Sequence, residues 1–479
     1  MATLAQWATL LVLAFLVVCG FITVWWEVHP FFLDEWAIIY NIKYKTPQEL
    51  WGQLDKTQQF PRVYLHIVQW FSSWWSYSYT SLRLPSFMVH CCGLAYCIYL
   101  SGRLFPGAGV YRWLWVLLYA AYPSSVFYFV LTKQYTMEMF LALVGLAQLA
   151  MLAAINSGRL PGRGKYLLLC LSFVVAPLFS YTYPIVAAPL FAMVGINTIL
   201  RGRNLGRQWA PLLLGAVGIV ALYFTDIRLV QSDPGMKNYW KDYYMTHGFN
   251  LRELLYNIYM YFHLFGRGGP LMVLVAVVGI SAWLYGSYRS VALLRQKERT
   301  LREWLVIYSA ALIWLSVALF ILNKIPLNAH RLNAYKTPAA AVLIVYMFQQ
   351  LHRRMSRAAL VAAGAYLALQ AVFIVQPCIR QFTDPAHQRT MLIYANGKTA
   401  ITLAQQERIP LFTTSMTLYP HQDIDQADWV IKCYPLYPKD SGIPVYPLSA
   451  GSAADSLLDA LGLPAAVVTT GDSVFVLTH

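Results

Sequence analysis

Long uncharged apolar runs, separated by short basic connections, set the pattern of this chain. The first, Leu4 to Trp26, carries no charge and is long enough to cross a bilayer at roughly 17–25 residues per crossing. Read in the same way, the sequence predicts eleven transmembrane helices, near residues 4–26, 84–101, 113–131, 135–155, 166–182, 184–200, 209–224, 269–286, 304–323, 337–351 and 358–376. The uncharged stretch Tyr166 to Leu200 is divided at Tyr181-Thr182-Tyr183-Pro184, because a proline opens a helix well and a single helix of that length would overshoot the bilayer.

The connections fall into two alternating sets. One is short and basic: Arg103/Arg112, Arg159/Arg163/Lys165, Arg201/Arg203/Arg207, Arg289/Arg295/Lys297/Arg299/Arg302 and Arg353/Arg354/Arg357. The positive-inside trend makes these loops cytoplasmic and the N-terminus with them. The other set is longer and more aromatic: residues 27–83, the hinge at Lys133, residues 225–268, residues 324–336 and the tail from Pro377. Residues 27–83 hold short amphipathic stretches suited to helices lying in the interface, one of them capped by Thr46 and opened by Pro47. Acids become frequent in the tail, and short strands are expected at 428–432, 443–446, 466–470 and 474–477, with a helix over 456–461 and a turn at 470–473. The predicted organisation is a membrane domain over 1–376, with 27–83 as its first outer loop, and a small extracytoplasmic α/β domain over 377–479.

Composition agrees with the pattern: 58% of the 479 residues are hydrophobic and 12% are charged, a balance that excludes an ordinary soluble domain. The net charge of +15 follows from the topological bias and from contact with anionic headgroups, so it does not indicate nucleic-acid binding. Of seven cysteines, five fall in spans; Cys378 and Cys433 lie on the expected outer side, where a disulfide is permitted but no spacing rule requires one. No metal-type Cys/His spacing, glycine-rich phosphate loop or internal repeat is present.

Candidate chemistry gathers at one membrane face. Asp34 and Glu35 follow the first span directly, where adjacent carboxylates are either a polar interfacial anchor or a catalytic or ion-binding pair. Arg62, Arg83, Lys133, Glu138, Arg331 and Lys336 belong to the same expected face, with Tyr64, His66, Tyr135 and Tyr335 beside them in sequence. A Lys133–Glu138 pair that satisfies only itself, and an Arg83 that snorkels to headgroups, are the bland alternatives. Carboxylates facing fixed cations suit transfer of a sugar from a lipid phosphate: the phosphate leaves as an anion, and the attacking hydroxyl needs a base. Asp34 shares the polar side of its helix with Asn41, whereas Glu35 lies on a stripe with Ile38, Ile39 and Ile42, which favours Asp34 as the base and Glu35 as its positioning partner.

Leu33-Asp34-Glu35-Trp36 after the first span resembles the acidic pair of the lipid-dependent GT-C glycosyltransferases, which include protein O-mannosyltransferases and aminoarabinose-to-lipid A transferases. Gln59-Phe60-Pro61-Arg62-Val63-Tyr64-Leu65-His66 is similar to their stretch leading into a juxtamembrane helix. Ser81-Leu82-Arg83-Leu84-Pro85-Ser86, Ser101-Gly102-Arg103-Leu104-Phe105, Tyr122-Pro123, Lys133-Gln134-Tyr135 through Glu138, and His330-Arg331 to Tyr335 with Pro338 follow in the family's order. Lys133 stands where arginine is more usual, and Tyr335 is displaced from Arg331. The resemblance implies a GT-C fold, a polyprenyl-phosphate-linked sugar donor and inverting transfer to an extracytoplasmic glycolipid, polysaccharide or protein. It further implies Asp34 as catalytic base, Glu35 and Glu138 as shaping the site, and Arg83, Lys133 and Arg331 as donor-phosphate ligands; Arg62 and Lys336 share that charge and face. Some relatives use a divalent cation, but no ligand set here demands one. A non-catalytic glycolipid transporter and a surface-polysaccharide polymerase or ligase remain the competing functions.

Overall fold

The computed structural model describes residues 2–25, 33–55, 58–107, 109–126, 128–159, 161–201, 205–235, 243–244, 249–263, 270–296 and 299–383, together with four strands in the tail. The chain divides into two compact units, Met1–Phe21 with Asn41–Pro377 and Ile22–Tyr40 with Cys378–His479.

The main helices are α1 (Ala2–Trp25), α2 (Leu33–Tyr44), α3 (Arg62–Ser73), α4 (Tyr79–Leu104), α5 (Val110–Ala120), α6 (Tyr135–Asn156) and α7 (Arg163–Val175). They continue as α8 (Tyr183–Arg201), α9 (Leu205–Leu222), α10 (Leu251–His263), α11 (Pro270–Leu294), α12 (Leu301–Ile321), α13 (Thr337–Arg354) and α14 (Ser356–Thr383). Among the described residues seven helical stretches are long and apolar enough to cross a membrane: α1, α4, α6, Gly206–Ser232, α11, α12 and α14. The chain is an integral membrane protein. The four other expected crossings take different forms. The run at 113–131 yields α5 and then the short turn Pro123–Val126, and the run at 166–182 yields α7 followed by a 3-10 turn, Ala176–Phe179, with Pro177 at its start. The run at 184–200 yields α8, whose apolar part is Tyr183–Ile199. α13 ends in His352, Arg353 and Arg354, too polar to count as membrane-spanning by composition.

Local sequence sets the helix ends. Thr300 and Glu303 form a reciprocal capping box at the start of α12, and Ser78 caps α4 by accepting from the Ser81 N–H. Gly206–Ser232 contains a π-helical turn, Tyr223–Ile227, that interrupts the regular ladder near its end.

The described residues of the first loop from Asn41 onward form a platform, with α3 packed against α4. Thr46 and Glu49 form the expected cap, with the Thr46 N–H and hydroxyl donating to Glu49 Oε2 at 2.7 and 2.8 Å, but the turn they start is only the 3-10 segment Glu49–Trp51. These bonds hold the exposed Glu49 carboxyl below its usual range. α3 buries Arg62, Tyr64, Leu65, Val68, Gln69 and Ser72 and leaves Ile67 and Trp70 exposed, a two-sided pattern that the adjoining Trp74 and Trp75 extend. Gln69 ties the platform together by donating to the carbonyls of Ile42 and Lys45.

In the tail, β1 (Leu411–Thr413), β2 (Val430–Lys432), β3 (Ala465–Thr470) and β4 (Ser473–Thr478) form one mixed sheet of order β2-β1-β4-β3. β1 pairs in parallel with β2 and β4, while β3 and β4 are antiparallel across the expected turn. Three of these strands overlap expected ones; β1 was not anticipated. The expected strand at 443–446, the helix at 456–461 and Cys433 lie outside the described residues.

Candidate functional site

In the first unit the expected site residues collect where α3, α4, α6 and α13 begin. Arg83 is fully buried one turn into α4, its guanidinium 4.5 Å from the Tyr79 ring centre and donating to the Tyr79 hydroxyl. Lys133, just ahead of α6, is 3% exposed, and its Nζ donates to Gln58 Oε1 at 2.9 Å. Ser86 joins the two helix starts by donating to the Lys133 carbonyl at 3.3 Å, and Thr132 donates to the Leu82 carbonyl at 3.2 Å. Tyr64 reaches in from α3, with its hydroxyl 3.3 Å from Ser86 Oγ. Burial pushes the Tyr64 phenol up to about 12, against a smaller opposing effect of the Ser86 bond. The phenol therefore keeps its proton at neutral pH.

A second polar group adjoins the first. Tyr135 meets Tyr128 edge-to-face at 5.5 Å, and Tyr128 lies within electrostatic reach of Tyr122, which lies within that of Tyr335. The Tyr335 hydroxyl is 2.8 Å from Ser316 Oγ and within electrostatic reach of Glu138. Glu138 is 1% exposed, and its Oε2 is buried without a hydrogen-bond partner. The self-satisfying Lys133–Glu138 pair does not form: Lys133 turns to Gln58, and Glu138 keeps a buried oxygen with no hydrogen-bond partner.

Three expected contacts are corrected. Arg62 is not available to a phosphate, because its Nη1 donates to the Phe60 carbonyl at 2.9 Å, its Nη2 to the Gly52 carbonyl at 3.0 Å, and its Nε sits 3.8 Å from Asp226. His66 is held by the backbone: its ring nitrogens lie 2.7 Å from the Arg62 carbonyl oxygen and 2.8 Å from the Pro47 carbonyl oxygen. Lys336 is clasped by α10, donating to the Tyr261 carbonyl with its Nζ 3.0 Å from the Tyr261 ring centre. Asp34 lies on α2 with its side chain outside the description, as does that of Arg331. Glu35, on α2 in the second unit, is fully buried. Among the described residues no three His, Cys, Asp or Glu side chains gather to hold a metal.

Gln58, Tyr261, Tyr181 and Asp226 enter this region without having been anticipated. Asp226 did carry a signal, since it is an acid directly following an uncharged run, the same placement that drew attention to Asp34 and Glu35.

No family model and no curated protein sequence matches this chain. A crystal structure of ArnT from Cupriavidus metallidurans bound to undecaprenyl phosphate does, with a TM-score of 0.51 over 86% of this chain and 84% of that one. The chain has the ArnT fold. It does so at 12% sequence identity. The apo structure of the same ArnT aligns over 85% of this chain and 83% of that one at 14% identity, with a TM-score of 0.47. The ArnT fold is the GT-C fold expected from the order of the sequence fragments.

Proposed function

We propose that this protein is a membrane glycosyltransferase that moves one sugar from a polyprenyl-phosphate carrier to an acceptor outside the cytoplasm. The observation that carries the reading is the fold shared with an ArnT structure that holds undecaprenyl phosphate. Buried Arg83 and Lys133 at adjoining helix starts support it, since two fixed cations suit a phosphate monoester leaving group. In the proposed step Asp34 takes the proton of the acceptor hydroxyl. The acceptor oxygen bonds to the anomeric carbon as the bond from that carbon to the phosphate oxygen breaks, and the polyprenyl phosphate departs as an anion toward Arg83, Lys133 and Arg331. A single displacement inverts the anomeric centre. Glu35 positions Asp34, and Glu138 with Tyr135 and Tyr335 lines the sugar side. The chain would sit in a bacterial inner membrane with its N-terminus cytoplasmic, and residues 377–479 would form an outer α/β domain that orients the acceptor.

Replacing Asp34 by Asn tests the assignment. Expected is normal accumulation in membranes with transfer from a polyprenyl-phosphate sugar reduced by about 10²–10⁴-fold, the usual scale for a general base. Unchanged turnover overturns it. Mass spectrometry of the product should show one added sugar; transfer of a whole polymer would instead favour a ligase.

A further inference from the structure

α3 begins under an unusual arrangement. Its N-cap residue is Pro61, which has no side-chain acceptor to offer the first free N–H groups of the helix. The missing acceptor comes from 164 residues away: the Arg62 N–H donates to Asp226 Oδ1 at 3.1 Å. The same carboxylate receives the Tyr181 hydroxyl at 3.0 Å on Oδ1 and the Thr225 hydroxyl at 3.0 Å on Oδ2. Arg62 and Asp226 are each 1% exposed, so a charge-bearing cap lies where a helix N-terminus most favours an anion. Asp226 itself is presented by the π-helical turn Tyr223–Ile227, whose extra residue breaks the regular spacing of that span.

This contact sits between two site contacts. Four residues before Arg62, Gln58 holds the Lys133 ammonium; two residues after it, Tyr64 reaches Ser86, which also bonds the Lys133 carbonyl. Phe60, whose carbonyl holds the Arg62 guanidinium, stacks on Tyr64 at 5.3 Å. Residues 58–64 are therefore a strip with Lys133 at its edge and Asp226 at its pivot.

We infer that Asp226 is a positioning residue: by capping α3 and neutralising Arg62, it fixes the 58–64 strip and thereby the place of Lys133. It acts on the reaction only through that strip. The functional half rests on reading Lys133 as a contact of the donor phosphate.

The test uses the full-length protein in nanodiscs, with two variants, Asp226→Ala and the neutral pair Asp226→Asn with Arg62→Gln, and two readouts. Amide hydrogen exchange over residues 58–66 needs no activity; donor KM and kcat report the reaction. Asp226→Ala should speed exchange there and raise donor KM, each by about tenfold, with kcat within about twofold, because a buried guanidinium loses its counter-charge and α3 its cap. The neutral pair keeps an oxygen for the backbone N–H of residue 62 and leaves no unpaired charge at this contact, so it should recover most of both losses. Wild-type exchange and KM in Asp226→Ala overturn the inference, and so does a matched loss of kcat that the neutral pair does not recover. Faster exchange in Asp226→Ala, reversed in the neutral pair, from a wild-type protein that transfers no sugar would overturn the glycosyltransferase reading and leave the positioning of the strip standing.

Discussion

Glu138 carries a buried carboxylate oxygen with no hydrogen-bond partner, a costly state for a group on a helix that crosses the membrane. Replacing it by Gln removes the titratable carboxyl at nearly constant volume, so the thermal unfolding midpoint in detergent should rise, by an amount equivalent to about 1 kcal/mol, while transfer falls. A loss of both would mean that the carboxylate is structural. Tyr64 gives a second expectation. With its phenol pushed up to about 12, it stays protonated across the range in which membrane enzymes are assayed, so its folded form loses this donor only in strong base. Tyr64→Phe should therefore lower activity without removing either limb of the pH–rate profile; loss of a limb would show that Tyr64 titrates in the working range. Sequence alone marked both residues, but it could not separate Lys133 from Arg62. Each is a base at a membrane edge, and only the fold shows that two backbone carbonyls and Asp226 have already taken the guanidinium.

At the scale of elements, helix contact is close enough to assign opposite signs to one substitution. A Cβ on Gly218 of α9 would lie 2.5 Å from the Val174 carbonyl oxygen, a backbone atom that cannot step aside. A Cβ on Gly195 of α8 would meet nothing within 4 Å. Gly218→Ala should destabilise by about 1–3 kcal/mol, and Gly195→Ala should be neutral or stabilising by up to about 1 kcal/mol, both read as shifts in unfolding in one detergent. Equal shifts would contradict the packing of α7 against α9. The long helices were legible because a run of about 20 apolar residues has few alternatives. α5 and α7 were not, since an apolar run shows how much chain avoids water but not where it breaks. α7 gives way at Ala176-Pro177, where proline removes a donor, and α5 ends just before Pro123. β1 escaped notice because its three residues directly follow Pro410, and a proline beside so short a run argues against a strand.

For the whole molecule, the ArnT fold persists at 12% identity, so most side chains can differ while the arrangement of helices stays the same. That is why an ordered series of short fragments was readable when no single fragment was diagnostic. The long-range pairings were not readable: Asp226 with Arg62, and Lys336 with Tyr261, join residues 164 and 75 positions apart through an arrangement of helices that no local pattern encodes. The exposed indoles Trp51, Trp70, Trp74 and Trp75 belong to the platform around α3, whereas Trp314 is exposed mid-way along the crossing helix α12. Indoles favour the headgroup level, so the platform group and Trp314 should lie at different depths. Their emission can then serve as a built-in depth gauge. Lipids brominated near the headgroup should quench the platform share, and lipids brominated near the chain end the Trp314 share. Trp70→Phe with Trp74→Phe and Trp75→Phe should abolish most of the shallow quenching, and a triple variant still quenched equally at that level would place the platform away from the lipid.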